Sequence, residues 1–121
     1  MIVTRRYNDP PIPGEGTRIL VCRYRPRGVR KEDESWDEWA PDLGPSRALH
    51  AAYYSDAPPG WDEYRRRYLE EMTAAKPAFF IRALAARVAG GEAIALLCSS
   101  ACTDEARCHR SLLRELIARV R

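Results

Sequence analysis

The chain has 121 residues, of which 45% are hydrophobic and 31% are charged, and its net charge at pH 7 is +3. These values are typical of a globular protein, so we expect one domain over residues 1–121. No apolar run approaches the roughly 20 residues of a membrane helix, and the first residues lack the apolar stretch of a secretory signal. The sequence therefore predicts a cytoplasmic protein without membrane contact, and its composition excludes collagen, coiled coils and disordered tails.

Two short strands are predicted in the first quarter of the chain. Residues 2–7 are predicted to form the first strand, and the Pro- and Gly-rich residues 8–16 the loop that follows it. Residues 18–24 are predicted to form the second strand because residues 19–22 are apolar. This strand is expected to end before Pro26, since proline has no N–H to donate to a neighbouring strand.

The middle of the chain is predicted to be helical. Trp36 and Trp39 are three positions apart, which places them on one face of a short helix. Ser46 is a suitable N-cap for the next helix, and Gly90 follows the last one as a C-terminal stop. The predicted helices cover residues 35–39, 47–54, 61–72 and 77–88.

The last quarter of the chain has the pattern of a buried strand followed by an amphipathic helix. Residues 93–98 are apolar without interruption, as in a strand that is covered on both faces. Capping and acidic groups at residues 103–105 are expected to open the helix, whose apolar positions include Leu113 and Ile117. The whole pattern predicts a small single-domain α/β sandwich with a short, mostly parallel sheet flanked by helices. In this sheet the apolar runs 19–22 and 93–98 should be neighbouring strands.

Positive charge is concentrated at the start of the chain. Residues 1–31 contain eight basic side chains and two acidic ones. Such an excess is typical of proteins that bind phosphate, nucleotides or nucleic acid. The alternative is a general bias toward arginine, since the chain has 18 Arg and only two Lys.

Candidate site residues follow the two predicted central strands. In open α/β sheets ligands bind beyond the carboxyl ends of the strands, where a following helix N-terminus also favours anions. If the two strands are parallel neighbours, the residues after them converge on one cleft. The candidate ligand-binding residues are Arg23, Arg25, Arg27, Gly28, Cys98, Ser99 and Arg110, and the candidate catalytic residues are Cys108 and His109.

The four cysteines, Cys22, Cys98, Cys102 and Cys108, are expected to be reduced thiols, and three interpretations of them stay open. A thiol near a helix N-terminus and beside His109 would be activated as a nucleophile. A zinc site is disfavoured, because the spacing is irregular and neighbouring helical residues point about 100° apart. We therefore expect no metal. The third interpretation is that the thiols are small buried side chains without chemistry.

Several segments together resemble a known family. Residues 16–21 (GTRILV) are followed by a Pro-Arg-Gly turn at residues 26–28, and Cys98 is followed by Cys-His-Arg at residues 108–110. This order is similar to that of the YeaO-like family of uncharacterised bacterial proteins, a domain of unknown function with the number 488. The resemblance implies a compact α/β fold in bacterial cytoplasm and supplies neither a reaction nor a cofactor.

The chain departs from the family pattern at four positions. Cys22 stands where the family usually has Asp, and Arg25 stands where it usually has Trp. His50 and Tyr54 occupy positions where Arg and His are common. By itself His50 is interpreted as a surface or hydrogen-bonded helix residue, and the tyrosines as core or rim side chains.

Two functions are compatible with these observations. The first is a protein that binds a phosphorylated ligand, such as a nucleotide or nucleic acid, in a basic cleft lined by Cys, His and Arg. The alternative is a non-enzymatic interaction module whose basic face contacts an acidic partner.

Overall fold

A computed structural model describes residues 1–120 and contains a four-stranded sheet. The strand order is β1-β4-β2-β3, and all three pairings are parallel. The predicted α/β class is confirmed, and so is the placement of the two apolar runs on neighbouring strands. The strands are β1 (Ile2–Arg6), β2 (Thr17–Leu20), β3 (Glu38–Trp39) and β4 (Ile94–Cys98).

Four α-helices account for most of the remaining regular structure. The Ser46 hydroxyl accepts a 3.1 Å hydrogen bond from the Leu49 N–H, which is the predicted N-cap. None of the helices in the described part of the chain is long and apolar enough to cross a membrane. The helices are α1 (Arg47–Tyr53), α2 (Trp61–Glu71), α3 (Ala75–Ala89) and α4 (His109–Ala118), with single 3₁₀ turns at Lys31–Asp33, Pro41–Leu43 and Glu105–Arg107.

The predicted short helix at residues 35–39 is wrong. These residues run alongside β2, and the Asp37 and Ala40 N–H groups each donate a 2.8 Å hydrogen bond to a β2 carbonyl. Pairing with the open edge of β2 satisfies the backbone better than one helical turn would. In this extended segment Trp36 is buried under the sheet, whereas Trp39 is exposed.

The predicted start of the last helix is also wrong. Asp104 caps only a 3₁₀ turn, where its carboxylate accepts a 3.2 Å hydrogen bond from the Ala106 N–H. The backbone then becomes extended at Cys108, with φ −133° and ψ 144°, and α4 begins at His109. Cys108 is therefore the N-cap of α4 rather than part of its interior.

The two faces of the sheet are covered differently. Ile19 and Leu96 belong to a large core cluster that receives apolar side chains from all four helices. Leu20 and Leu97 point to the other face, where Trp36 and Val29 from the segment between β2 and β3 complete a smaller cluster. The helices therefore cover one face, and the connection between β2 and β3 covers the other.

Two glycines permit close backbone approaches near the central strands. Gly16 has φ +90°, and a methyl group there would lie 2.0 Å from the Ala93 carbonyl oxygen at the start of β4. A methyl group at Gly44 would lie 2.4 Å from the backbone nitrogen of Arg23. The second approach holds the turn before α1 against the chain that leaves β2, which shapes the cleft described below.

Candidate functional site

A cavity of about 620 Å³ opens at the carboxyl ends of β2 and β4. Thiols and His109 are among the residues that line it, together with aromatic side chains and four arginines. The convergence expected from parallel strands therefore occurs. The lining residues are Cys22, Arg23, Tyr24, Arg25, Pro26, Arg27, Pro45, His50, Tyr53, Tyr54, Tyr64, Cys98, Ser99, Cys102, Arg107, Cys108 and His109.

Three cysteines form a thiol cluster in this cavity. The Sγ atoms of Cys98, Cys102 and Cys108 all lie within 4.8 Å of one another. The Cys98 thiol donates to the Cys102 sulfur at 3.2 Å, and the Ser99 hydroxyl donates to the same sulfur at 3.5 Å. Cys22 lies at the edge of the cluster, with its Sγ 3.7 Å from that of Cys98. All four cysteines are free thiols.

Three different pieces of backbone bring the cluster together. Cys98 is the last residue of β4 and is 2% exposed, and Cys108 is the N-cap of α4 and is 3% exposed. Cys102 lies in the loop between them and is half-buried. The sequence spacing is irregular because this loop folds back over the end of β4, so spacing alone could not predict the cluster.

His109 is held in one orientation beside the cluster. Its Nε2–H donates a 2.8 Å hydrogen bond to the Val21 carbonyl, which leaves Nδ1 as the unprotonated nitrogen of a neutral ring. Nδ1 lies 3.8 Å from the Cys98 Sγ. Burial lowers the pKa of His109, and this favours the neutral imidazole. His109 can therefore accept a proton from the cluster side only.

The three thiols of the cluster differ in how readily they lose their protons. Hydrogen bonds from the thiols of Cys108 and Cys98 lower the pKa of Cys102, because they stabilise its thiolate. Donating to Cys102 raises the pKa of both other cysteines. Negative charge is therefore most stable on Cys102, the most exposed residue of the three.

An aromatic wall borders the thiols. The His50 ring lies 4.9 Å from the Tyr24 ring and 4.8 Å from the Tyr54 ring, measured between centroids. Tyr53 packs edge-on against Tyr54 at 5.2 Å. The sequence suggests a surface or hydrogen-bonded role for His50, and the structure places it in the cavity wall instead. Two of the positions that depart from the family pattern, His50 and Tyr54, thus face the same space.

The arginines of the cavity differ in what they contact. The Arg23 Nε donates a 2.9 Å hydrogen bond to the Pro45 carbonyl. Arg25 lies 3.5 Å from the Glu34 carboxylate and stacks 5.5 Å above the Trp36 ring. Arg27 and Arg107 are exposed, and neither side chain has a hydrogen bond or an ion pair with any residue in the 1–120 range.

Two predicted site residues lie outside the cavity lining. Arg110 is buried, and its guanidinium donates a 2.8 Å hydrogen bond to the carbonyl of Arg5 on β1. Gly28 forms a turn with φ +76°, and, apart from its two chain neighbours, no described residue lies within 4 Å of the place where a methyl group would be. The structure therefore brings Arg23, Arg25, Arg27, Cys98, Ser99, Cys108 and His109 together, without Gly28 or Arg110.

Sequence reasoning missed several lining residues. Cys102 carries a signal, because it follows Cys98 by four positions, immediately after a strand end. Arg107 carries a weaker one, since it directly precedes Cys108. Tyr53 and Tyr54 carry no local signal, since their position depends on how α1 packs against the rest of the chain.

The sequence of the chain is similar to a family profile and to several uncharacterized proteins. The sequence profile described as the active DUF488-N3 subclade matches residues 2–121. An uncharacterized protein of Mycobacterium tuberculosis is 40% identical over 70 residues, which are 58% of this chain and 58% of that protein. The uncharacterized protein YeaO of Escherichia coli is 37% identical over 71 residues, which are 59% of this chain and 61% of YeaO. The chain thus matches about three fifths of the length of these relatives, and no solved structure matches it.

Proposed function

The chain belongs to the YeaO-like DUF488 family, in its active DUF488-N3 subclade, and we propose that its cleft binds a small anionic ligand, specifically a phosphorylated one. The observation that carries this proposal is the charge of the cavity lining. Among the described residues that line the cavity, four are arginines and none is a carboxylate. These arginines outnumber the one lining side chain on which negative charge is favoured, Cys102. A cleft with a net positive charge and low-dielectric walls focuses its field on an anion.

Arg27 and Arg107 are the side chains best suited to hold the anion. Each lines the cavity, is exposed, and lacks an acidic partner among residues 1–120. A guanidinium group donates paired hydrogen bonds to phosphate oxygens, and such bonds are stronger than neutral ones. Arg23 and Arg25 are already held by other groups, so they shape the rim and add charge rather than contact a ligand first.

The start of α4 supports the same ligand class. Cys108 and His109 line the cavity at the N-terminus of this ten-residue helix, where the positive end of the helix dipole favours an anion. The rings of Tyr54 and His50 offer an apolar surface for a flat group attached to the anion. A nucleotide combines both features, which makes it the first ligand class to test.

The alternative, an interaction module with a basic face, has less support. Much of the positive charge in residues 1–31 is paired with nearby carboxylates, as in Arg6 with Asp9 and Arg30 with Asp33. Paired surface charges attract an acidic partner weakly. The unpaired Arg27 and Arg107 line a cavity, which suits a small ligand better than a protein surface.

Calorimetric titration with inorganic phosphate and with adenosine monophosphate tests the proposal. We expect saturable binding of one of these probes to the wild type. Arg27→Ala and Arg107→Ala should each weaken it by about 1–3 kcal/mol, the usual contribution of a hydrogen bond to a charged group. The matched control is Arg82→Ala, which removes an exposed arginine on α3, outside the cavity.

Two results would contradict the proposal. The first is that neither probe binds the wild type at millimolar concentration. The second is that both rim variants bind as well as Arg82→Ala. A salt series with a single-stranded oligonucleotide distinguishes a nucleic-acid ligand from a small one, because nucleic-acid binding falls steeply with salt through counterion release.

A further inference from the structure

Beyond anion binding, we propose that the thiol cluster of Cys98, Cys102 and Cys108 binds one thiophilic divalent metal ion of the zinc and cadmium type. Thiolates are strong ligands for these ions, and the three sulfurs already lie within 4.8 Å of one another. The ion would lie in the cavity, where each of its ligands also borders the ligand space.

The distances between the sulfurs fit such an ion. Zinc–sulfur bonds are about 2.3 Å long, so two sulfurs of a tetrahedral site lie roughly 3.8 Å apart. The three Sγ atoms all lie within 4.8 Å of one another, and the Cys98 and Cys102 sulfurs are 3.2 Å apart. These separations differ from the tetrahedral spacing by at most roughly 1 Å, an adjustment that the half-buried loop residue Cys102 can provide.

Two of the three proposed ligands lie at the ends of regular secondary structure, which limits their movement. Cys98 ends the central strand β4, which is paired on both sides, and Cys108 caps α4. Each thiol releases its proton when it binds the ion, so the affinity for the metal should fall as the pH is lowered. Three protein ligands that border a cavity leave the fourth position to water or to a bound molecule, as in catalytic zinc sites.

The sequence disfavours a metal on two grounds, and the structure answers both. The irregular spacing does not matter, because the loop after β4 brings the three sulfurs together. The second ground is that Cys108 and His109 cannot share one ion as neighbours on a helix. In the structure His109 is outside the group of mutually close ligands, and its Nδ1 approaches only Cys98. The three sulfurs suffice without it. His109 then lies beside the site, oriented by its hydrogen bond to the Val21 carbonyl.

Titration with Cd²⁺ tests the proposal directly. The protein is kept reduced with a phosphine and freed of metal with a chelator that is then removed. We expect a thiolate-to-cadmium charge-transfer absorption that saturates at one ion per chain. Cys102→Ser should weaken binding by more than roughly tenfold, since the loss of a ligand costs more than the loss of an outer-shell partner.

Cys22→Ser is the matched control. It removes a thiol that lies 3.7 Å from Cys98 but outside the mutually close group. Because the Cys22 thiol donates to the Cys98 sulfur, this variant should keep one Cd²⁺ per chain and should lose much less affinity than Cys102→Ser. Circular dichroism of both variants verifies that the fold is intact, and Cys102 is suitable for substitution because it is a half-buried loop residue.

Alkylation gives a second readout that does not depend on any variant. Bound Zn²⁺ should protect the half-buried Cys102 from alkylation, and peptide mass spectrometry measures the modified fraction at this site. The proposal is overturned if the reduced wild type shows no saturable Cd²⁺ absorption, if Cys102→Ser binds like the wild type, or if Zn²⁺ does not protect Cys102. Phosphate titration of the metal-free protein tests the anion site separately, so either proposal can fail alone.

Discussion

Arg18 and Arg27 lie in the same arginine-rich third of the chain and have opposite surroundings. Arg18 is 4% exposed, forms an ion pair with the buried Glu15, and donates 2.7 Å and 2.9 Å hydrogen bonds to the carbonyls of Ser35 and Asp9. Arg27 is exposed on the rim of the cavity and has no ion pair with residues 1–120. One arginine joins the loops on the second face of the sheet, and the other is available to a ligand.

The difference between these two arginines shows that a count of charged residues does not tell which charges are already paired. An excess of basic residues predicts an anionic ligand only if the charges are not already paired within the protein. Here Arg25 pairs with Glu34 and Arg30 pairs with Asp33, two carboxylates beyond residue 31, and these pairs neutralise part of the excess of residues 1–31. Position in the fold, rather than number, decides which arginines can bind a ligand.

The largest effect is expected from breaking the Arg18 region. Arg18→Ala removes the closer of the two arginines that pair with the buried Glu15 and leaves only Arg5, 3.4 Å away. We expect the free energy of unfolding to fall by up to about 3–5 kcal/mol, the usual cost of breaking a buried ion pair. Urea denaturation measures this loss. Arg30→Ala is the control, because Arg30 also pairs with a carboxylate but its side chain is 73% exposed. Equal stability of the two variants would remove the contrast between buried and exposed arginines.

A smaller effect is expected at Arg25, which is intermediate between the two regions. Its side chain is 34% exposed, contacts Glu34, and lies over the Trp36 ring. Such a pair and such stacking contribute about 0.5–1 kcal/mol, so Arg25→Ala should destabilise the protein by that amount in urea. Arg25→Lys should recover only part of it, since lysine lacks the planar group. A loss as large as that of Arg18→Ala would place Arg25 among the structural arginines.

The smallest effect concerns pH and Asp9, at the outer end of the Arg18 region. The backbone N–H of Arg6, and also its guanidinium, lower the pKa of Asp9 below its ordinary value of 3.8. A lowered pKa in the folded state means stability that is present above 3.8 and is lost as the pH falls through the folded value. Asp9→Asn should be less stable than the wild type at neutral pH, and the gap should narrow in acid. A gap that is independent of pH would contradict this account.

Elements with a strong local pattern can be predicted from the sequence. The apolar run at residues 93–98 and the Ser46 cap lead to correct positions for β4 and α1, because burial and capping act on the residues themselves. The prediction for the segment 35–39 is wrong, since the decisive partner is the edge of β2, which is distant in sequence. Local periodicity does not contain this information.

The residues of the candidate site can be predicted from the sequence only where the order and direction of the strands can be predicted. Parallel pairing of β2 with β4 brings Arg27 and Cys98 to one cavity, as the rule for strand ends predicts. The same rule places Arg110 there, but this side chain turns toward β1 and donates to the Arg5 carbonyl. The direction of a side chain on the first turn of a helix depends on where the helix begins. A shift of the helix start from residue 103 to His109 is enough to alter it.

The central place of β4 in the sheet has a consequence for the newly made chain. β1 pairs with β4 in the register Ile2 with Ile94, and β2 pairs with the opposite edge of the same strand. At roughly 5–20 residues per second, the ribosome delivers β4 several seconds after β1. During this interval β1 lacks its sheet partner and β2 has one open edge, and open edges invite pairing with other chains. If synthesis stops before residue 94, the released chain therefore lacks β4, the strand that pairs with both β1 and β2.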